Sequence, residues 1–209
     1  MKKVFKVIYK LRYYLLIIFL LGALISLIDI FLLKNLYDTH WYLVIIFVYL
    51  SILAVIIIDG LTAAIIHKLP KKLVDPYRFK QHKGEKKFFN FIKIKKWKDI
   101  IPEIGEATVD FAKDKLDNTS SSEYLYMFLI EIGYAELDHL FSFFTGFLII
   151  FILPLKYALF IGLPVGIINI IFNLLSYLIQ RYNRPKLLIV YERTKRKEEQ
   201  EQLKNDNES

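Results

Sequence analysis

The sequence predicts an all-α integral membrane protein with four transmembrane helices and both termini in the cytosol. Three observations carry that class. Apolar residues fill 55% of the 209 positions and charged ones 24%, yet mean hydropathy is positive, so charge is segregated from long apolar runs. Residues 13–33 and 43–66 are each long enough to cross the hydrocarbon, which needs roughly 20 apolar residues. Of 29 lysines and arginines, 27 fall on one side of the spans, which the positive-inside rule makes cytoplasmic.

In chain order, the first span follows Lys2, Lys3, Lys6, Lys10 and Arg12 as a signal peptide would. Its apolar run exceeds the usual signal core and no small-residue cleavage site closes it, so it is expected to stay attached. After the second span comes a basic cytoplasmic segment, 67–122. Phe79-Lys80 and Phe88–Ile92 flank His82-Lys83-Gly84-Glu85 there, a pattern that suggests a small β-hairpin. The lysines around Trp97 suit the membrane–water interface, with Trp97 at headgroup depth and Lys95, Lys96 and Lys98 meeting anionic lipid or an anionic ligand. The third apolar run, 142–155, is short, but behind a capping-box signature, Ser120-x-x-Glu123, an uninterrupted helical pattern precedes it from Ser122. This makes one long helix whose first half is polar and whose span is set at 126–155. The Asn118-Thr119-Ser120 sequon is cytoplasmic in this topology and carries no glycan. The fourth span, 157–180, contains Pro164, which either kinks it or sits in its first turn. Residues 1–192 form a single membrane domain, and 193–209 a charged cytoplasmic tail that reads as solvated and frayed.

Polar residues within the apolar helices are the informative ones. Glu131, Glu136, Asp138 and His139 interrupt the third helix. At about 1.5 Å per residue they lie about 24 to 36 Å from its outer end, straddling the cytoplasmic boundary. At about 100° per residue, Glu136 and His139 project about 140° and 80° from Glu131, so the imidazole falls between two carboxylates. Asn169, Asn173, Ser176 and Gln180 form one face of the fourth helix, expected to point at the third, and lead into Gln180-Arg181-Tyr182-Asn183-Arg184-Pro185. Pairing of the carboxylates with Arg181 and Arg184 to lock the bundle is the structural alternative to a chemical role. Asp29 and Asp59 are read as lying near the outer ends of their spans, without a basic partner there.

Many chemistries are excluded. With no cysteine there is no thiolate nucleophile, disulfide or Cys-ligated metal. Glu136-Leu-Asp-His139 is an ExxH, but a di-iron site needs a second one, so no metal is expected. There is no GxSxG, HExxH, P-loop or GxGxxG, nor an HxxxxD, since residue 144 is Phe. The basic excess is explained by topology, so no nucleic acid partner is expected.

Four anchors carry a family resemblance: Lys68-Leu69-Pro70, Lys96-Trp97-Lys98, Glu131-x4-Ala135-Glu136-Leu137-x-His139, and Asn173 with Gln180-Arg181-Tyr182-Asn183-Arg184-Pro185-Lys186-Leu187. In order and spacing, over 43 to about 187, the chain resembles the glycosyl-diaponeurosporenoate acyltransferases of the staphyloxanthin pathway. These are small membrane enzymes that esterify a fatty acid onto the sugar of a glycosylated carotenoid. The first span is an addition to that pattern. Leu140 stands where an aromatic is expected and Leu175 where proline is, departures that bear on the acceptor more than on the reaction.

The resemblance implies a multi-pass protein of a bacterial cell membrane, active at its cytoplasmic face. Its partners would be an activated acyl donor, acyl-CoA or similar, and a membrane glycolipid or glycosylated terpenoid acceptor, with no bound cofactor. Chemistry then suggests roles. His139 is the general base for a sugar hydroxyl, with Glu136 or Glu131 fixing its tautomer. Arg181, Arg184 or Asn183 stabilises the oxyanion, Asn173 and Gln180 bind substrate, and Trp97 with Lys98 and its neighbours holds the donor's phosphates. The rival reading is a non-catalytic four-helix membrane subunit or scaffold whose Glu/His/Arg cluster is structural.

Overall fold

The computed structural model describes residues 2–78, 81–98, 101 and 121–208. All regular structure among them is helical. The elements are α1 (Lys2–Tyr37), α2 (Trp41–Ile66), a 3-10 turn (Lys71–Val74), α3 (Lys83–Phe91), α4 (Ile94–Trp97), α5 (Ser122–Thr145), α6 (Leu148–Ile152), α7 (Leu155–Tyr157), a π-helical turn (Ala158–Gly162) and α8 (Leu163–Glu208). Four helical stretches, Leu15–Tyr37, Trp41–Ile66, Ser122–Ile152 and Leu155–Asn207, are long and apolar enough to cross a membrane.

The chain divides into two compact units. Unit 1 comprises Met1–His67 and Asp138–Leu175, and unit 2 comprises Lys68–Leu137 and Ser176–Ser209. In unit 1, α1 stops at Asp38, which adopts the left-handed region (φ 48°) and donates its N–H back to Lys34 O at 3.2 Å. Asp is one of the few residues that tolerate this conformation, so a three-residue link turns the chain into α2. Ile25 and Leu33 of α1 and Val44, Val48 and Val55 of α2 repeat at helical spacing and bury against Ile149, Tyr157, Ile161 and Val165. Phe47 stacks on Tyr157 with ring centroids 4.4 Å apart. The opposite faces of α1 and α2 leave Phe19, Leu27, Phe31, Leu50 and Leu61 exposed, an apolar surface far larger than a soluble monomer shows.

Unit 2 has two smaller cores. Leu125, Phe128, Leu129 and Ile132 of α5 (spacing i, i+3, i+4, i+7) pack on Leu187 and Tyr191, and Phe89 and Ile94 pack on Tyr182. The N-terminus of α5 is capped by Ser121, whose Oγ accepts from Tyr124 N at 3.3 Å, and by Glu198, whose carboxylate accepts from Ser122 N at 2.9 Å.

The expected hairpin is corrected: residues 83–91 are helical. His82 is the reason, because its imidazole accepts from Gly84 N at 3.2 Å as an N-cap, and Glu85 occupies the first turn. The helical pattern from Ser122 holds through Thr145 as α5, but one continuous helix to Leu155 does not form, since Gly146 and Phe147 make a turn between α5 and α6. The π-helical turn precedes Leu163, leaving Pro164 in the first turn of α8, one of the two expected positions. The stretch from Arg193 is helical to Glu208 instead of frayed; it is rich in Glu, Gln and Lys, and Lys195 and Glu199 pair at 3.9 Å. Phe79, Lys80, the Asn118–Ser120 sequon and the Ser120 half of the proposed capping box lie outside the described residues.

Candidate active site

Unit 1 contains a polar network built on three helices. His139 Nδ1 lies 3.0 Å from Asn173 Oδ1. Asn173 Nδ2 faces oxygens on its other side: Asp59 Oδ2 at 3.1 Å, Asn169 Oδ1 at 3.0 Å and Asn169 O at 3.2 Å. A carboxylate only accepts, so the amide nitrogen must point at Asp59 and the amide oxygen at the imidazole. Nδ1 of His139 is therefore the protonated ring nitrogen of the neutral form, and the proton-accepting lone pair belongs to Nε2.

Asn169 completes the arrangement. Its Nδ2 donates to Asp59 Oδ1 at 3.3 Å and to Ser142 O at 3.3 Å, so the two oxygens of Asp59 each take an amide N–H from α8. Gly146 makes room for it, because a Cβ there would run into the Asn169 amide. Ser142 Oγ donates to Asp138 Oδ1 at 3.4 Å, and Thr62 and Thr145 hydroxyls meet at 3.3 Å. Asn173 is buried, while His139 and Asn169 are half-buried. The face of α8 carrying Asn169 and Asn173 does meet the third helix, as its spacing predicts.

Asp59 is the residue sequence reasoning set aside. It stands seven residues before the end of α2, the end that leads to the basic segment, so in the topology expected from charge it belongs to the cytoplasmic half of the span and not to the outer end. A lone carboxylate in an apolar helix was the available signal, with two asparagines one turn apart elsewhere in the chain to receive it.

Unit 2 holds a separate ionic network. Glu136, 6% exposed, accepts from Arg181 Nη1 at 3.1 Å through one oxygen and from Arg184 Nη1 at 2.7 Å through the other. Arg181 also grips Glu85 through Nε at 3.1 Å and Nη2 at 2.9 Å. Arg184, 3% exposed, donates Nη2 to the carbonyls of Val74 at 2.9 Å and Asp75 at 2.8 Å. These are charge-assisted bonds among protein groups, and they tie Val74, Asp75 and Glu85 to α8. Gln180 is buried, and Asn183, Glu131 and Lys98 are half-buried. Trp97 is half-buried too; it packs against the Phe89–Ile94–Tyr182 core and donates Nε1 to Ile92 O at 2.9 Å, so its indole serves the interior of the unit.

Curated proteins and solved structures give no significant match to the chain. The family model of glycosyl-4,4'-diaponeurosporenoate acyltransferases, however, matches residues 70–193, which is more than half of the chain. The stretch begins after α2, so it contains His139, Asn169 and Asn173 but neither α1 nor Asp59. By that match the chain belongs to the glycosyl-4,4'-diaponeurosporenoate acyltransferase family.

Proposed function

We propose that the chain is a membrane-embedded O-acyltransferase that moves a fatty acyl group from a thioester donor, acyl-CoA or similar, to a sugar hydroxyl of a glycosylated terpenoid lipid. The observation that carries the mechanism is the bond from His139 Nδ1 to Asn173 Oδ1, with the amide held in register by Asp59. A sugar hydroxyl is a weak nucleophile at neutral pH and needs its proton removed as it attacks. Nε2 of His139 takes that proton, the new C–O bond forms at the acyl carbonyl, and the C–S bond breaks. The proton then passes from the imidazolium to the departing thiolate, which restores the base. Asn173 and Asp59 keep the imidazole in the productive tautomer, the work assigned from the sequence to Glu136 or Glu131. Transfer is direct, since the chain offers no cysteine or nucleophile-elbow serine.

In this reading Glu136, Arg181 and Arg184 are framework: each guanidinium is held by carboxylates or carbonyls of the protein itself. Asn183 and Gln180 remain the proposed substrate-binding amides. Lipid and pigment profiling of a deletion strain tests the function. The account expects one ester class to disappear, its unacylated glycolipid to accumulate, and the wild-type chain to restore it. An unchanged ester profile contradicts it and favours the scaffold reading.

A further inference from the structure

α3 is amphipathic in an unusual sense. Phe89, 3% exposed, is buried on one side, and the neighbouring Glu85 bonds Arg181 at 2.9 Å, so this face is turned into unit 2. At about 100° per residue the far side carries Lys87 and Phe91, with Lys83 and Phe88 flanking them and Lys86 at the edge nearer Phe89. Phe91 is 82% exposed and Phe88 46%. All three lysines are exposed, as are Lys93, Lys95 and Lys96 that follow, and the one acid of α3 is already paired with Arg181. The aromatic-and-lysine signal that the sequence placed on Trp97 is thus presented by α3.

We propose that this face of α3 docks on a bilayer surface of anionic phospholipid, with Phe88 and Phe91 entering the acyl boundary and Lys83, Lys86 and Lys87 meeting headgroup phosphates. Two features select lipid as the occupant. Bare phenyl rings beside long lysine stems suit an interface where the ring enters hydrocarbon and the ammonium reaches phosphate. A chain with four helices fit to cross a membrane also holds a bilayer near α3 at high effective concentration, so modest affinity is enough. The proposal rests on membrane insertion and is independent of acyl transfer.

The absence of cysteine makes the test clean, because Phe91→Cys supplies the sole thiol of the 209-residue chain. A fluorophore on that thiol is read in nanodiscs containing nitroxide-bearing lipid, either phosphatidylcholine alone or an equal mixture with phosphatidylglycerol. Gln202→Cys, at an exposed position of α8, is the reference. In the mixed discs the Phe91→Cys probe is expected to be quenched at least about twofold more than the reference. That excess should fall by about half or more without phosphatidylglycerol, at high salt, or with Lys83→Glu, Lys86→Glu and Lys87→Glu combined. Quenching equal to the reference in mixed discs overturns docking. Excess quenching that ignores lipid charge and salt, or that inorganic phosphate abolishes at constant ionic strength, overturns the anionic-lipid assignment. Failure of the chain to enter nanodiscs overturns membrane insertion, and this proposal with it.

Discussion

A carboxylate that accepts amide N–H bonds from two asparagines fixes more than its own position. Asp59 sets the orientation of Asn173, and Asn173 sets the tautomer of His139. Asp59→Asn keeps shape and hydrogen-bonding capacity but presents either oxygen or nitrogen to Asn173, so nothing then forces the amide oxygen toward the imidazole. The expected result is near-normal accumulation in membranes, with acyl transfer reduced by about tenfold or more. The upper bound is about 10⁴-fold, the loss seen when the orienting carboxylate of a catalytic triad becomes an amide. Equal transfer by the variant, assayed with a labelled acyl donor in membranes, would remove Asp59 from the mechanism. His139 and Asn173 were legible in the sequence as polar groups on apolar helices. Their pairing was not, because periodicity says which residues share a face of one helix and is silent on which helix meets that face. For that reason the sequence alone pairs the imidazole with Glu131 and Glu136 of its own helix and gives Asp59 no partner.

Helices in this chain are legible where apolar periodicity is long and ambiguous where charge and aromatics alternate. The four long apolar stretches follow from their composition, whereas α3 was misread because Phe88-Phe89-Asn90-Phe91 resembles a strand unless the His82 cap is given weight. The turn at Gly146 has no signal in hydropathy, and the close approach of Asn169, which leaves no room for a Cβ there, is a tertiary fact. α8 runs through Pro185 to Glu208. The network that Arg181 and Arg184 form with Glu136 and Glu85 lies in the turn just before that proline, and it makes a prediction at this scale. Removing one partner of a buried ion pair leaves an uncompensated charge, at a cost of about 3 to 5 kcal/mol. Glu136→Gln should therefore lower the thermal unfolding temperature and folded yield in detergent, and Arg184→Lys, which loses the planar fork to Glu136 and the Val74 and Asp75 carbonyls, should do the same. Wild-type stability with lost activity would instead make Glu136 a catalytic group.

For the molecule as a whole, the segregation of charge is the feature from which orientation follows. Reporter fusions after Lys34 and Lys156 are expected to score external, and those after Lys98 and Lys197 cytoplasmic, from the 27-to-2 asymmetry of basic residues. An external score at Lys98 would put the basic segment on the side without cytosolic acyl donors and defeat the proposed donor. Fold class and family were both legible, because hydropathy acts over whole spans and the family anchors are contiguous. The chemistry was legible only in part, because it depends on side chains brought together from α2, α5 and α8. The most direct test uses purified chain in nanodiscs with a labelled acyl thioester and a glycosylated carotenoid, comparing wild type with His139→Gln. Glutamine keeps size and hydrogen bonding but cannot accept and release a proton near neutral pH, and general-base catalysis typically contributes about 10² to 10⁴-fold. The account predicts labelled ester from the wild type and a loss of that order in the variant at unchanged folded yield; ester formation by His139→Gln within a few-fold of wild type would contradict it.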